Sequence, residues 1–217
     1  FKSGFKLKNN SSSTFDGTIT NIKVNRINRD TASVFTVFDA MSSPAFEMRV
    51  GSSTSVNMAL GVNAGRSLAP ITTNGSASNI LIGANTGKNL IVGVGNTIVG
   101  RNGLQASYST HGNTGFGASV FFSLLSGVYN TVAGYLGMYN TTTGSYNTCS
   151  GWACFYTNTT GSRLTGLGYG TGFLNLSGSD IVNIGHSAGY TNSTGSNILN
   201  LGTYAGKYNT ASNAFYV

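Results

Sequence analysis

Short apolar segments recur along most of the chain at a fixed interval, separated by stretches of Asn, Thr, Ser and Gly. Written in blocks of 17 residues from Asn79, the sequence aligns with itself eight times, and the blocks open with segments such as "NILIG", "NTVAG" and "ILNLG". In an extended chain the second and fourth residues of such a segment, for example Thr131 and Ala133, share one face. The pattern therefore predicts one short β-strand at the start of each block.

Glycine stands at the fifth position of every block and is predicted to form a corner. A glycine there permits a positive φ or the close approach of another segment. The last third of the middle blocks, as in "NTTTGSY" and "NTTGSR", has turn-forming composition and predicts an opposite corner. An earlier segment, "NMALGVNAG" from Asn57, fits the same pattern with a longer loop before Asn79. The eight corner glycines are Gly83, Gly100, Gly117, Gly134, Gly151, Gly168, Gly185 and Gly202.

A unit of this length predicts one coil of a β-solenoid. It is too short for a helical hairpin repeat, which needs more than about thirty residues. Coils stacked at the usual strand spacing of about 4.8 Å would make eight repeats roughly 40 Å long. No single coil can bury its own apolar face, so its neighbours must cover it. The predicted fold is all-β, a β-solenoid or β-roll over residues 57–217.

Residues 1–56 differ in composition and are predicted to form a small N-terminal β region or shaft connector. "SVFTVFDA" and "AFEMRV" are typical of short strands, the second alternating Phe46, Met48 and Val50 with charged residues. "SSPA" between them is a candidate turn around Pro44. "KNNSSST" near the start is predicted to be a loop or linker.

The repeat motif resembles that of a known class of protein. Blocks such as "NTVAGYLGMYNTTTGSY" are similar to the "NTAVGYxALYxNTTGSx" repeats of phage tail fibres and related large surface proteins. More distantly, they resemble the head repeats of trimeric autotransporter adhesins. The resemblance covers the chain from Asn57 to Val217, with Asn, Thr, Gly and aromatic positions recurring in phase.

This resemblance implies a homotrimeric β-roll that displays a receptor-binding surface on a virion tail fibre. Its partners would be two further copies of the chain, a host cell-surface glycan or protein, and other fibre or tail proteins through the N-terminal region. Several members carry an intramolecular chaperone domain after the repeats. The repeats here run to Val217, which suggests a cleaved or truncated product.

Charge argues against a nucleic-acid partner despite the net charge of +7. A nucleic-acid surface needs clustered cations. Phe1 to Arg66 contains eight Lys/Arg mixed with four Asp/Glu, and only four Lys/Arg follow. Only 8% of residues are charged, whereas 40% are hydrophobic and 11% aromatic, with 31 Gly and 2 Pro. This composition favours an ordered β structure over a disordered chain, and the sequence has no apolar run long enough for a transmembrane helix.

Catalytic constellations are sparse, so we expect neither an enzyme nor a bound cofactor or metal. Hydrolytic spikes use paired carboxylates, but Asp180 is the only acid after Glu47. A depolymerase site formed between protomers, or between Asp180 and the N-terminal region, stays an open alternative. His111 and His186 occupy different repeat positions and are expected to be ordinary surface or hydrogen-bonded residues. Cys149 and Cys154 lack zinc-type spacing and are predicted to be buried small residues, in a bonding state left open; Cys154 shares its column with Ala188 and Ala205.

Two aromatic columns are the candidate functional and packing residues. The tenth position, which we assign to packing, holds Phe122, Tyr139, Tyr156, Phe173 and Tyr190. The sixth position is the candidate exposed binding row, and it holds Tyr135, Trp152, Tyr169 and His186. Stacked one coil apart, such residues form ladders with a spacing of about 4.8 Å. Aromatic rings with polar tips are suited to contact sugar rings.

Two further functions fit the same architecture. The main alternative is a bacterial surface adhesin or extracellular filament subunit. A regular threonine row that includes Thr131, Thr148 and Thr165 also permits an ice-binding surface. Against ice binding, these threonines are bordered in the sequence by a third-position column that varies between Gly, Val, Cys and Asn.

Overall fold

The computed structural model describes residues 35–38, 44–50, 57–68 and 78–217. Within these residues the secondary structure consists of short strands joined by turns, without a helix. The strands are β1 (Phe35–Phe38), β2 (Pro44–Val50), β3 (Met58–Leu60), β4 (Ile80–Ile82), β5 (Val92–Val94), β6 (Thr97–Val99), β7 (Ser109–His111), β8 (Thr114–Phe116), β9 (Thr131–Ala133), β10 (Thr148–Ser150), β11 (Leu164–Leu167), β12 (Ile181–Ile184), β13 (Ile198–Leu201) and β14 (Ala214–Tyr216).

The repeat strands stack in parallel along one side of the molecule. Twelve strands form a sheet in the order β1-β2-β3-β4-β6-β8-β9-β10-β11-β12-β13-β14. From β4 to β13 each residue pairs with the residue one repeat later, so Thr131 lies beside Thr148 and Thr148 beside Thr165. β5 and β7 form a second, two-stranded sheet on another side of the coils. The prediction of a β-solenoid with coils of about 17 residues is confirmed.

Coils 1 to 8 begin at Asn79, Asn96, Asn113, Asn130, Asn147, Leu164, Ile181 and Ile198, and positions are counted from these residues. Two strand pairs depart from the regular spacing. Met58 pairs with Ile80, which reflects the longer loop before coil 1. Ile198 pairs with Ala214, one residue earlier than the repeat requires. The eighth coil is therefore shorter than the others.

The residue at position 3 of each of the eight coils is buried inside the coil. Leu81, Ile98 and Val132 are fully buried there. Where position 3 is glycine, a larger neighbour fills the space, because a Cβ on Gly115 would lie 2.8 Å from Val120 Cγ2. A small residue in one column is therefore matched by a larger residue in the adjacent column, which keeps the narrow interior closely packed.

The fifth-position glycines form the tightest approach between coils. Their φ angles lie between 125° and 145° in all eight coils, a region that side chains rarely adopt. In addition, a Cβ on Gly134 would overlap the carbonyl oxygen of Gly151 in the next coil. Both reasons proposed for the regular recurrence of glycine, the backbone angle and the close approach, therefore apply to the same residue.

The backbone carbonyl at position 15 faces the interior and accepts a hydrogen bond from a buried asparagine side chain. In the early coils these asparagines occupy position 1. Asn96 Nδ2 donates to the carbonyl of Thr110 at 2.8 Å and to Oδ1 of Asn79 at 2.9 Å. The ladder satisfies groups that would be costly to bury without partners.

The asparagine column moves to position 12 in the later coils. Position 1 becomes Leu164, Ile181 and Ile198, while position 12 becomes Asn158, Asn175 and Asn192. Asn175 Nδ2 then donates to the carbonyl of Gly178 at 3.1 Å. The two columns meet at Gly161, whose carbonyl accepts from both Asn147 and Asn158. The same buried carbonyl is therefore satisfied from either side of the corner.

The N-terminal strands β1 and β2 extend the same sheet, but they pair antiparallel and not parallel. β1 pairs with β2 and β2 pairs with β3, both antiparallel. The two predicted N-terminal strands are confirmed. Pro44, expected in a turn, is instead the first residue of β2 and pairs with Phe38. A proline fits the first position of a strand, since its missing N–H need not join the ladder there. The linker "KNNSSST" lies outside the described residues, and the boundary at residues 56 and 57 stays a prediction.

Candidate binding surfaces

Two aromatic rows lie on the outside of the solenoid, on the segment after each corner glycine. Positions 7 and 9 adopt positive φ, as Ala153 and Phe155 do at 49° each. Phe155 is fully buried, whereas Trp152 at position 6 and Tyr156 at position 10 reach the surface. The alternating backbone therefore turns position 9 inward and positions 6 and 10 outward.

The sixth-position row is exposed in successive coils, as the sequence predicts. Relative exposure is 50% for Tyr135, 38% for Trp152 and 49% for Tyr169, and His186 is exposed as well. All four side chains project from the same point of the coil because the repeat length is constant between them. Their exposure is confirmed, and their role in binding stays a prediction.

Most of the row forms a face-to-face stack. The ring centroids of Trp152 and Tyr169 are 4.5 Å apart with planes 10° from parallel, and those of Tyr169 and His186 are 5.1 Å apart at 9°. Tyr204, which the repeat pattern did not single out, meets His186 edge-on at 5.1 Å. Tyr135 stands outside this stack.

Stacking changes which part of each ring a ligand can contact. Both faces of Tyr169 are covered by its neighbours, so its ring edge and hydroxyl are what remain for a ligand. Trp152 begins the stack, and no ring covers its face on the Tyr135 side. The predicted ladder therefore forms from Trp152 to His186, where a ligand can reach the Trp152 face on the Tyr135 side and the ring edges that follow.

The tenth-position row is a continuous ladder. Five rings, Phe122, Tyr139, Tyr156, Phe173 and Tyr190, stack with centroid distances between 4.7 and 5.3 Å. They are half-buried rather than fully buried, because each ring lies along the outside of the coil and leaves one edge to solvent. Trp152 also lies 6.3 Å from Phe173, so the two rows adjoin.

The outer face of the parallel sheet is a second, uncharged surface. Positions 2 and 4 of the coils point outward, and none of them carries a charged side chain in the part of the chain described. Phe116 is 50% exposed and Leu167 is 52% exposed on this face. Large apolar side chains in one contiguous, charge-free strip are typical of an interaction surface.

The threonine row lies on this same sheet face. Thr131, Thr148 and Thr165 are exposed at position 2. Their neighbour on the surface is position 4, where Phe116, Ala133, Ser150 and Leu167 follow one another. The third-position column that we compared them with is buried, so it does not border them on the surface. The irregular fourth position gives the threonine row no matching second row for an ordered ice-binding plane.

The two cysteines are bonded to each other, and Asp180, the single acid of the repeats, forms an ion pair. Cys149 and Cys154 are buried in coil 5, as predicted, and are joined as a disulfide with Cα atoms 6.0 Å apart.

Asp180 accepts two hydrogen bonds from Arg163, with Nε–Oδ1 at 2.5 Å and Nη2–Oδ2 at 2.8 Å. These hydrogen bonds hold the pKa of Asp180 below its ordinary value and raise the pKa of Arg163. Asp180 is therefore held as a carboxylate, and the general-acid role in glycoside hydrolysis requires the protonated form.

A third surface row, which was not predicted from the sequence, lies at position 17. It includes Tyr129 and Tyr146, whose rings are 5.5 Å apart and 59% and 60% exposed. The block alignment contains the signal, since these residues end consecutive blocks just before the asparagine of position 1. The column was overlooked because Gly, Tyr, Arg, Asp and Asn alternate in it.

No family model, curated protein or solved structure matches this chain. The resemblance to tail-fibre repeats therefore rests on the repeat motif alone. Within the described residues, no helix is long and apolar enough to cross a membrane.

Proposed function

We propose that this protein is the structural and receptor-binding segment of a phage tail fibre or spike, and that its sixth-position row binds a host cell-surface glycan. The observation that carries the proposal is the row itself. Tyr135, Trp152 and Tyr169 project from three consecutive coils and remain between 38% and 50% exposed. A protein that used these rings only for packing would gain from burying them.

The row is suited to an extended ligand lying parallel to the solenoid axis. The open face of Trp152 offers a large apolar surface to one sugar ring. The hydroxyl groups of Tyr135 and Tyr169 and the imidazole of His186 supply hydrogen-bonding groups at intervals of one coil. A flexible or compact ligand would contact only one of these side chains, so a chain of sugars uses the surface best.

We further propose that three copies associate through the outer face of the parallel sheet. That face lacks charge at positions 2 and 4 and exposes Phe116 and Leu167. It runs along eight coils, roughly 40 Å at the usual strand spacing. Covering it removes these exposed apolar side chains from water, and the N-terminal region is left to join other fibre or tail proteins.

Replacing Trp152 by alanine should weaken the binding of bacterial surface polysaccharide about tenfold or more. The substitution removes the largest ring of the row, whose face on the Tyr135 side no other ring covers. The free energy of unfolding should fall by about 1–3 kcal/mol per chain, because the ring is partly exposed but also packs against Tyr169 and Phe173. Binding is measured by surface plasmon resonance on immobilised polysaccharides, and stability by thermal unfolding.

Tyr156→Ala is the matched control, from the same coil and the neighbouring row. It should lower stability by about 1–3 kcal/mol, since the ring is stacked on both sides, and should leave binding unchanged. Lost binding in Tyr156→Ala with intact binding in Trp152→Ala would mean that the tenth position is the binding row.

The proposed trimer is tested by light scattering on the wild type, which should give the mass of three chains. A monomer contradicts the proposed association, and a mass that grows with concentration favours a filament.

A further inference from the structure

The corner at position 17 carries large side chains in a backbone conformation that disfavours them. Tyr129, Tyr146, Arg163 and Asp180 have φ angles of 55°, 59°, 56° and 58°. Positive φ is uncommon for residues other than glycine, asparagine, aspartate and histidine, so the conformational cost falls on Tyr129, Tyr146 and Arg163. The other coils use the less strained choices at this corner, namely Gly95, Gly112, Asn197 and Asn213.

Packing does not account for these side chains. The Tyr129 and Tyr146 rings are 59% and 60% exposed, so they add little to the core. Tyr129 rests against Gly112, where a Cβ would lie 2.6 Å from the ring. Glycine or asparagine would adopt this φ with less strain in the three coils that carry Tyr129, Tyr146 and Arg163. Strain maintained at an exposed position points to a use outside the fold.

The polar members of the row are arranged to bind hydroxyl groups. Arg163 uses Nε and Nη2 for Asp180, which leaves Nη1 without a hydrogen bond to protein. Each Asp180 oxygen retains a lone pair that can accept from a ligand hydroxyl. Asn197 donates to Asn213 at 3.1 Å and continues the same line. The pair has no net charge, so the row offers aromatic surface and fixed hydrogen-bonding groups without attracting ions.

The exposed area favours a glycan over a protein. With roughly 200 Å² per aromatic side chain, two rings exposed by about 60% offer some 240 Å². A stable protein interface buries about 800 Å² on each partner. The strip is one side chain wide and several coils long, which fits a single polysaccharide chain along the axis.

We propose that this corner row, Tyr129 to Asn197, is a second binding strip, and that its ligand is an uncharged glycan chain. It is separate from the sixth-position row. Five residues, positions 1 to 5 of the next coil, separate the two rows along the chain, so the rows lie at most about 20 Å apart. The strip does not depend on the function proposed for that row, since either row can bind without the other.

The test uses native gels containing dextran, yeast mannan or galactan, in which a binding protein migrates more slowly. The variant is the double substitution Tyr129→Asn with Tyr146→Asn, because asparagine already occupies this corner in other coils. The dissociation constant should rise about tenfold or more for at least one polysaccharide. The melting temperature should stay equal or increase, which a structural role for the rings would not produce.

Two controls separate the possible outcomes. Tyr108→Asn removes another tyrosine that is 59% exposed and should leave migration unchanged, and Trp152→Ala reports on the sixth-position row alone. The proposal is overturned if the double variant migrates like the wild type, if none of the three polysaccharides slows the wild type, or if polysialic acid slows it more than they do. A lower molar mass of the double variant would also overturn it and make the row an interface between copies.

Discussion

Replacing Gly134 by valine is expected to destabilise the protein by about 2–6 kcal/mol per chain. Two effects act together at this corner. The φ of 142° is strained for any residue with a Cβ, at about 1–3 kcal/mol. The added carbon would also overlap the backbone of Gly151 in the next coil, and overpacking of this kind costs about 1–3 kcal/mol. Neither coil can move aside, because both are bonded to further coils.

Gly202→Val is the matched control for the steric part. Gly202 has a similar φ of 127°, but the nearest atoms to its Cβ lie 3.8 Å and 3.9 Å away. Valine there should cost only the conformational part. Chemical denaturation of both variants gives the two free energies of unfolding. Equal losses at the two positions would show that the glycines serve the backbone angle alone and that the coils do not meet as described.

Removing half a repeat is expected to abolish cooperative folding, whereas removing a whole repeat should not. Deleting residues 130–146 brings Thr114 beside Thr148 and lets Asn113 Oδ1 accept from the backbone of Asn147. Every column stays in phase, and a stack of repeats tolerates the loss of one unit. Deleting residues 130–138 leaves eight residues, too few to close a coil, and the columns on either side no longer meet.

Circular dichroism during heating distinguishes the two deletions. The whole-repeat variant should keep one cooperative transition near the wild-type temperature. The half-repeat variant should lose more than the roughly 5 kcal/mol that holds a typical domain folded and show no transition. Similar melting curves for both would contradict a stack in which each residue pairs with its equivalent in the next coil.

The fold could be predicted from the sequence because its period is visible in single residues. Glycine at the fifth position, together with Asn, Thr and aromatic residues at other positions, recurs in phase, and the stacking direction follows from this repetition. The exchange of asparagine between positions 1 and 12 could not be predicted. It depends on which side chains can reach the carbonyl of position 15 across a corner, as Asn147 and Asn158 both reach Gly161.

The site could be predicted only in outline. Repetition indicated that Trp152 and Tyr169 would lie in one row, and the polar tips of these rings favoured exposure. The direction of the ring faces did not follow, since it depends on side-chain torsions that the spacing leaves free. The strained corner could not be predicted for a related reason. The positive φ of Tyr129 and Tyr146 is imposed by the path of the coil and is not a conformation that tyrosine favours.

Calorimetric titration with oligosaccharides of increasing length, cut from a polysaccharide that the protein binds, tests the central claim most directly. The row from Tyr135 to His186 spans three coil spacings, about 14 Å. Affinity should rise with oligosaccharide length until the chain covers this span and then level off, and Trp152→Ala should lower that final affinity. A single sugar that binds as tightly as the longest chain, or a final affinity unchanged in Trp152→Ala, would contradict recognition of an extended glycan by this row.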